Sequence, residues 1–270
     1  MTTGHFTTAD GCRLEFHMQG QGRPVLWQHG LGAPADQPAA VFPHDAGLQR
    51  ITLMCRGHGN SDLGDPARLS IATFADDAVA LLDHLGIQQA AVGGISLGAG
   101  IALRLGALHP DRVTRMVLAR PAWVDQPGPE TQAAYVAAGD YLHRLGADEG
   151  LRQFTRTEAY RDLLAQSPDN AKSLAGYFSR PRPDTTVALL AAIPKGGPGI
   201  SRPQMAAIDR PTLVIANDQD YVHPLAYARE LAALIPGARL DVITSKTVDP
   251  ALYTREFTAA LARFLSEDGR

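Results

Sequence analysis

The sequence has little sulfur, no strong excess of charge and no long apolar run. Two cysteines among 270 residues, Cys12 and Cys55, are too few for a disulfide framework and fit a reducing compartment. The 25 Lys and Arg are scattered against 28 Asp and Glu, for a net charge of −3. That balance leaves no electrostatic footprint for a nucleic acid. No later stretch is long and apolar enough to span a bilayer, and residues 1–17 hold no apolar core of signal-peptide length. These absences predict a cytoplasmic protein without membrane or nucleic-acid partners. Internal repeats and low-complexity tracts are also lacking. One more absence matters later: no histidine follows His223.

The length suits one domain with an insertion. Short apolar runs at 25–27, 51–54, 113–119, 212–216 and 240–243 are bounded by loop residues, as buried parallel strands are. Helical stretches alternate with them. Between 70 and 85, apolar residues at Ile71, Phe74, Ala78, Leu81, Leu82 and Leu85 form a 3.6-residue stripe closed by Gly86. Another helix is read over 224–235, and a last one starts at Asp249 and Pro250. Alternation of this kind predicts an α/β fold with a mostly parallel sheet covered on both faces. Residues 122–203 break the rhythm. Helical pieces are read at 131–145, 149–164 and 171–178, with irregular connections at 180–183 and 194–203. The expected layout is a core of residues 1–121 and 204–270, with a helical cap of 122–203 shaping the substrate pocket.

The segment Gly94-Ile95-Ser96-Leu97-Gly98 sets a serine between two glycines, after an apolar run and before an apolar helix. This is the G-x-S-x-G nucleophile elbow, a strained strand-to-helix turn that exposes a serine hydroxyl. Further motifs follow in order: Gln28-His29-Gly30-Leu31-Gly32, Arg56-Gly57-His58-Gly59-Asn60-Ser61-Asp62, and Asn217-Asp218-Gln219-Asp220 followed by His223-Pro224. Together they resemble the capped α/β-hydrolase-fold proteins, a superfamily with enol-lactonases, small esterases and C–C bond hydrolases. The resemblance covers nearly the whole chain except the cap. It departs from the family at Met54, where an Asp is common two residues before the Arg, and at Asn217, where a glycine is usual.

The resemblance implies Ser96 as nucleophile, backbone N–H groups of Leu31 and Leu97 as oxyanion hole, and Asp220 as acid, with Asp218 as competitor. His29 and His58 sit in loop motifs where the family's histidines are structural, although His29 also counts with Arg120 as a candidate for contact with substrate. The base is the difficulty. In the family it is a histidine on the loop after the last strand, and residues 244–248 offer Lys246 instead. A lysine with a pKa of about 10.4 is only about 0.04% neutral at pH 7, and half-neutralising it takes about 4.6 kcal/mol. A nearby Asp220 would oppose that. His223, three residues beyond Asp220, is the second candidate, and reach to the serine decides. The third option is that nothing activates Ser96. Arg120, just past the 113–119 strand, could clamp a carboxylate or phosphate, or form an ion pair with Asp125 or a cap residue.

The expected function is hydrolysis of a small ester, lactone or related acyl substrate, neutral or anionic, through Ser96 and an atypical triad. The alternatives are isomerase or lyase chemistry on an anionic small molecule, and a catalytically silent binding protein. No cofactor or metal is called for. The expected partners are a small-molecule substrate and, for a homodimer, a second copy of the chain.

Overall fold

A computed structural model describes residues 1–44 and 47–267. Strands β1 (Thr2–Thr7), β2 (Arg13–Gln19) and β3 (Arg23–Gln28) come first, then a short helix α1 (Asp36–Ala39) and β4 (Leu48–Leu53). Helix α2 (Ile71–His84), β5 (Ala90–Ile95), α3 (Leu97–Leu108) and β6 (Val113–Ala119) follow. Next come α4 (Ala133–Phe154), α5 (Glu158–Gln166), α6 (Pro168–Ala175), α7 (Pro183–Ala192) and α8 (Arg202–Ala206). The chain returns to the sheet with β7 (Thr212–Ala216), α9 (Leu225–Leu234), β8 (Arg239–Val242) and α10 (Pro250–Ser266).

The strands form one eight-stranded sheet in the order β1-β2-β4-β3-β5-β6-β7-β8. From β4 to β8 all pairings are parallel, while β1 and β2 are antiparallel additions at one edge. Alternation along the strands sends Leu26, Val92, Leu118 and Val214 to one face, where they pack with side chains of α2, α3 and α9. Val25, Trp27, Val117 and Ile215 go to the other, against Phe257, Leu261 and Phe264 of α10. Both faces are therefore dry, which a near-continuously apolar parallel strand requires.

The connection order reverses at β3, which lies between β4 and β5. A reversal of this kind opens a crevice at the carboxyl ends of the strands, where ligands bind in open α/β sheets. The loop after β3 carries His29 to Gly32, and the elbow serine directly follows β5. Helices α4 to α7 have their own apolar cluster, built on Tyr135, Leu142, Phe154, Leu174, Tyr177 and Leu190.

Two local readings change. The expected helix at 149–164 is divided, because α4 runs to Phe154 and Thr157 then caps α5, its side chain accepting from the Tyr160 N–H. A helix-interior threonine competes with the backbone in this way and favours a cap. Helix α7 has no counterpart in the sequence reading, since its apolar residues leave no one-sided stripe. Arg56, whose usual neighbouring Asp is Met54, instead binds Asp77 through Nε at 2.8 Å and Asp10 at 2.7 Å. Among the described residues no helix is long and apolar enough to cross a membrane.

Candidate active site

The glycines of the elbow are dictated by close approach. A Cβ on Gly94 would stand 2.6 Å from the Gln28 carbonyl oxygen and 2.7 Å from Gly98 Cα, and a Cβ on Gly98 would stand 2.6 Å from the same oxygen. Real atoms do not come so near, so only glycine lets β5 turn into α3 against the end of β3. Ser96 occupies the turn with φ of 57°, a strained value for a residue with a side chain. Its N–H donates to Ala119 O of the neighbouring strand at 2.9 Å.

The Ser96 hydroxyl has a partner. His223 Nε2 lies 2.8 Å from Ser96 Oγ, and His223 Nδ1 lies 2.8 Å from Asp220 Oδ1. This network fits a neutral imidazole that donates from Nδ1 to the carboxylate and accepts at Nε2 from the serine. The His223 backbone N–H also donates to Asp220 Oδ1, at 3.2 Å. Arg120 Nε donates to the other oxygen, Oδ2, at 2.6 Å. Burial alone would raise the Asp220 pKa, but the charges of Arg120 and His223 and their hydrogen bonds outweigh it and hold the carboxyl well below the usual range. For His223 burial is the largest effect and lowers its pKa, helped by Arg120 and opposed by Asp220. The resting ring is thus held neutral, ready to take a proton.

The loop carrying Asp220 and His223 is pinned from several sides. Val222 N–H donates to Asn170 Oδ1 of α6 at 3.0 Å, and Gln132 Nε2 donates to Val222 O at 3.4 Å. Ser245 Oγ, after β8, donates to Gln219 O at 3.3 Å. On the other side of the serine, Tyr177 Oη donates to Leu31 O at 2.5 Å, and Gly30 N–H donates to Gln37 Oε1 at 2.7 Å. The Leu31 and Leu97 amides have no acceptor in the hydrogen bonds of the described residues, as an oxyanion site in waiting would require. A cavity of about 90 Å³ spans this ground, lined by Leu31, Ser96, Trp123, Tyr135, His223 and Lys246 among others.

The alpha/beta hydrolase fold family matches residues 23–246. The chain belongs to that family. This α/β hydrolase is 32% identical over 252 residues to 2-hydroxymuconate semialdehyde hydrolase of Pseudomonas putida, spanning 88% of this chain and 85% of the relative. It is 28% identical over 256 residues to 3-oxoadipate enol-lactonase 2 of Acinetobacter baylyi, spanning 85% and 91%. Among solved structures it superposes on the enol-lactonase from Burkholderia xenovorans with a TM-score of 0.74 at 23% identity, over 98% of this chain and 100% of that one. The last likeness concerns the fold.

Within this α/β hydrolase several expected roles move. Lys246 does not bond to Ser96; its Nζ stands 5.3 Å from the Tyr253 ring centroid while the residue lines the cavity. Burial lowers its pKa and Asp169 raises it, with a net lowering. A histidine ring stands at the serine after all, on the loop after β7 instead of the loop after β8. Arg120 lines the cavity, yet its Nε is spent on Asp220, with Asp169 Oδ2 at 3.7 Å from its Nη2. Asp218 is exposed and Asp220 is buried.

His29 is a correction. It is fully buried and absent from the cavity wall; Nδ1 meets Gly30 O at 2.8 Å and Nε2 accepts from the Cys55 N–H at 3.1 Å. With both ring nitrogens taken by backbone, nothing is left for a substrate. Burial drives its pKa down to about 4, and that of His58 well below the usual value. His58 Nε2 accepts from the Gly32 N–H at 2.8 Å. Tyr177, Asn170 and Gln132 were not anticipated, because nothing in a helical pattern says which polar residues turn toward a distant loop.

Proposed function

We propose that this hydrolase cleaves a small ester, lactone or related acyl substrate through Ser96, with His223 as base and Asp220 as its orienting acid. One observation carries the reading: the unbroken chain from Asp220 Oδ1 to His223 Nδ1, and from His223 Nε2 to Ser96 Oγ, at 2.8 Å each. Ser96 Oγ attacks the acyl carbon as its proton passes to His223 Nε2. The N–H groups of Leu31 and Leu97 hold the oxyanion, and the dipole at the start of α3 favours the negative charge. The carbonyl re-forms, the bond to the leaving group breaks, and His223 returns the proton to the departing oxygen. Water, deprotonated by His223, then cleaves the acyl-enzyme and frees Ser96.

The small cavity favours a compact acyl group, being well under the roughly 300–1,000 Å³ of ordinary ligand clefts. Two donors are unspent there. Trp123 Nε1 is buried without a hydrogen-bond partner, and Lys246 has no ion pair among the described residues. Lys246 therefore serves an anionic group of the substrate. The relatives named as hydrolase and enol-lactonase support the same chemistry.

A fluorophosphonate probe and a nitrophenyl ester test this. Stoichiometric labelling and a nitrophenol burst, both lost in Ser96→Ala, are expected. An unlabelled wild-type protein that still binds small carboxylates would overturn the reading in favour of non-hydrolytic chemistry or simple binding.

A further inference from the structure

Two residues other than glycine have φ in the left-handed region among the described residues: Ser96, at 57°, and Arg120, at 47°. Strain of this kind persists only where surrounding structure enforces it, and it gathers at functional sites. The two are linked. Ser96 N–H donates to Ala119 O, and the residue after Ala119 is Arg120, whose own N–H donates to Ile215 O of β7 at 2.7 Å. The end of β6 thus holds the nucleophile on one side, and on the other it carries Arg120 to the loop that leaves β7.

That loop has an unusual task. In it Asp220 and His223 are only three residues apart, so acid and base are not held by two separate strand ends. Asp220 Oδ1 takes both bonds from His223, the ring and the backbone N–H. Among the described residues, the only hydrogen bond tying the carboxylate to the sheet is the one from Arg120 Nε to Oδ2. We infer that Arg120 is a positioning residue, which fixes the Asp220 carboxylate so that a histidine on the same short loop can face Ser96. It does not act as a substrate clamp: it is buried, and Asp220 and Asp169 on either side of it already balance its charge.

The inference rests on His223 serving as base. The groups facing that ring are Asp220 on its own loop, Arg120 from β6, Asp169 from α6, Tyr135 from α4 and Lys246 after β8. Tyr253 of α10 stands within the field of Arg120. Of these only Arg120 is a cation bonded to the carboxylate. Removing it takes away a charge that disfavours His⁺, so the ring should titrate at higher pH.

The experiment compares wild type, Arg120→Gln and Arg120→Lys by kcat, KM, pH profile and a nuclear-magnetic-resonance titration of the His223 ring. Arg120→Gln is expected to lower kcat about 10- to 100-fold, the scale of a misplaced catalytic group, with KM unchanged. Its acidic limb and ring titration should both move to higher pH. Arg120→Lys keeps the charge but not the planar fork, so titration should return toward wild type while kcat stays depressed. A raised KM with unchanged kcat in Arg120→Gln would make Arg120 a substrate clamp and overturn the inference. Wild-type kcat in Arg120→Lys overturns it too, and does so even if Arg120→Gln does not fold. The ring titration needs no turnover. A protein without hydrolytic activity would therefore count against the proposed function while still testing Arg120.

Discussion

Among the described residues three histidines are buried, and only His223 faces the Ser96 hydroxyl. His29 and His58 lie against each other at a tilt of 45°, beside the 29–32 loop, with ring centroids 4.5 Å apart. Each accepts one backbone N–H and donates to one backbone carbonyl. His223 is also buried, and burial depresses its pKa as well. What separates them is the fourth atom of the arrangement: Nε2 of His223 is turned to a hydroxyl that can give up a proton. Burial and a shifted pKa do not make a base; an uncommitted nitrogen within reach of the reacting atom does.

The sharpest way to break this contrast is to exchange the roles by mutation. His223→Gln should lower kcat by about 10⁴-fold or more, as loss of a triad base does, and leave thermal stability nearly unchanged. His29→Gln should do the reverse. Steady-state kinetics and thermal melts on both variants decide it; a His29 variant as inactive as the His223 variant would erase the distinction.

Much of this was legible in the residues and some was not. Ser96 and its two glycines declare themselves, because a strained turn tolerates few residue types. Asp220 was legible through the family resemblance, since Asp218 shares the same loop after a buried strand. The base was ambiguous for a geometric reason. Reach from His223 to Ser96 depends on how the 217–223 loop is anchored, and its anchors are Asn170, Gln132 and Ser245. Those are side-chain contacts between distant segments, which periodicity cannot report. Strands β1 and β2 escaped the reading as well, since their mixed polar and apolar residues make no continuous apolar run of the kind the buried parallel strands show.

The buried rings also set a pH dependence. Native His29, His58 and His223 all have pKa values below the ordinary histidine value of about 6.5. Between that value and the native one, the unfolded chain binds protons that the native protein refuses, so stability is lost as pH falls. For His29 the window runs from 6.5 down to about 4, worth about 3 kcal/mol for that ring alone. Denaturant melts should show the decline beginning below pH 6.5, and His29→Gln should make it shallower, leaving the share of His58 and His223. Activity is expected to survive into the same window, because the neutral form of His223 is favoured. An acidic limb of kcat/KM above pH 7 would contradict this.

His58→Ala comes next in size. It leaves the Gly32 N–H and the Arg56 carbonyl unpaired, at a cost of about 1–3 kcal/mol for a buried unpaired group. The expected result is a lower melting temperature with kcat reduced only a few-fold, since Tyr177 still holds Leu31. A kcat loss on the scale of His223→Gln would mean that the 29–32 loop has no other support.

The smallest effect concerns Lys246, which completes the contrast from the other side. It occupies the loop where the family's histidine belongs, yet it reaches the ring of Tyr253 and the cavity, not the serine. If the lysine meets only the substrate's anionic group, Lys246→Met should raise KM about tenfold for a carboxylate-bearing ester, the scale of one charged hydrogen bond. A neutral ester of the same size should be hydrolysed with unchanged kcat and KM, and fluorophosphonate labelling of Ser96 should keep its rate. Equal loss of kcat on both esters, with slowed labelling, would instead place Lys246 in proton transfer. That outcome would take the base away from His223, because one serine proton cannot be removed by two groups at once.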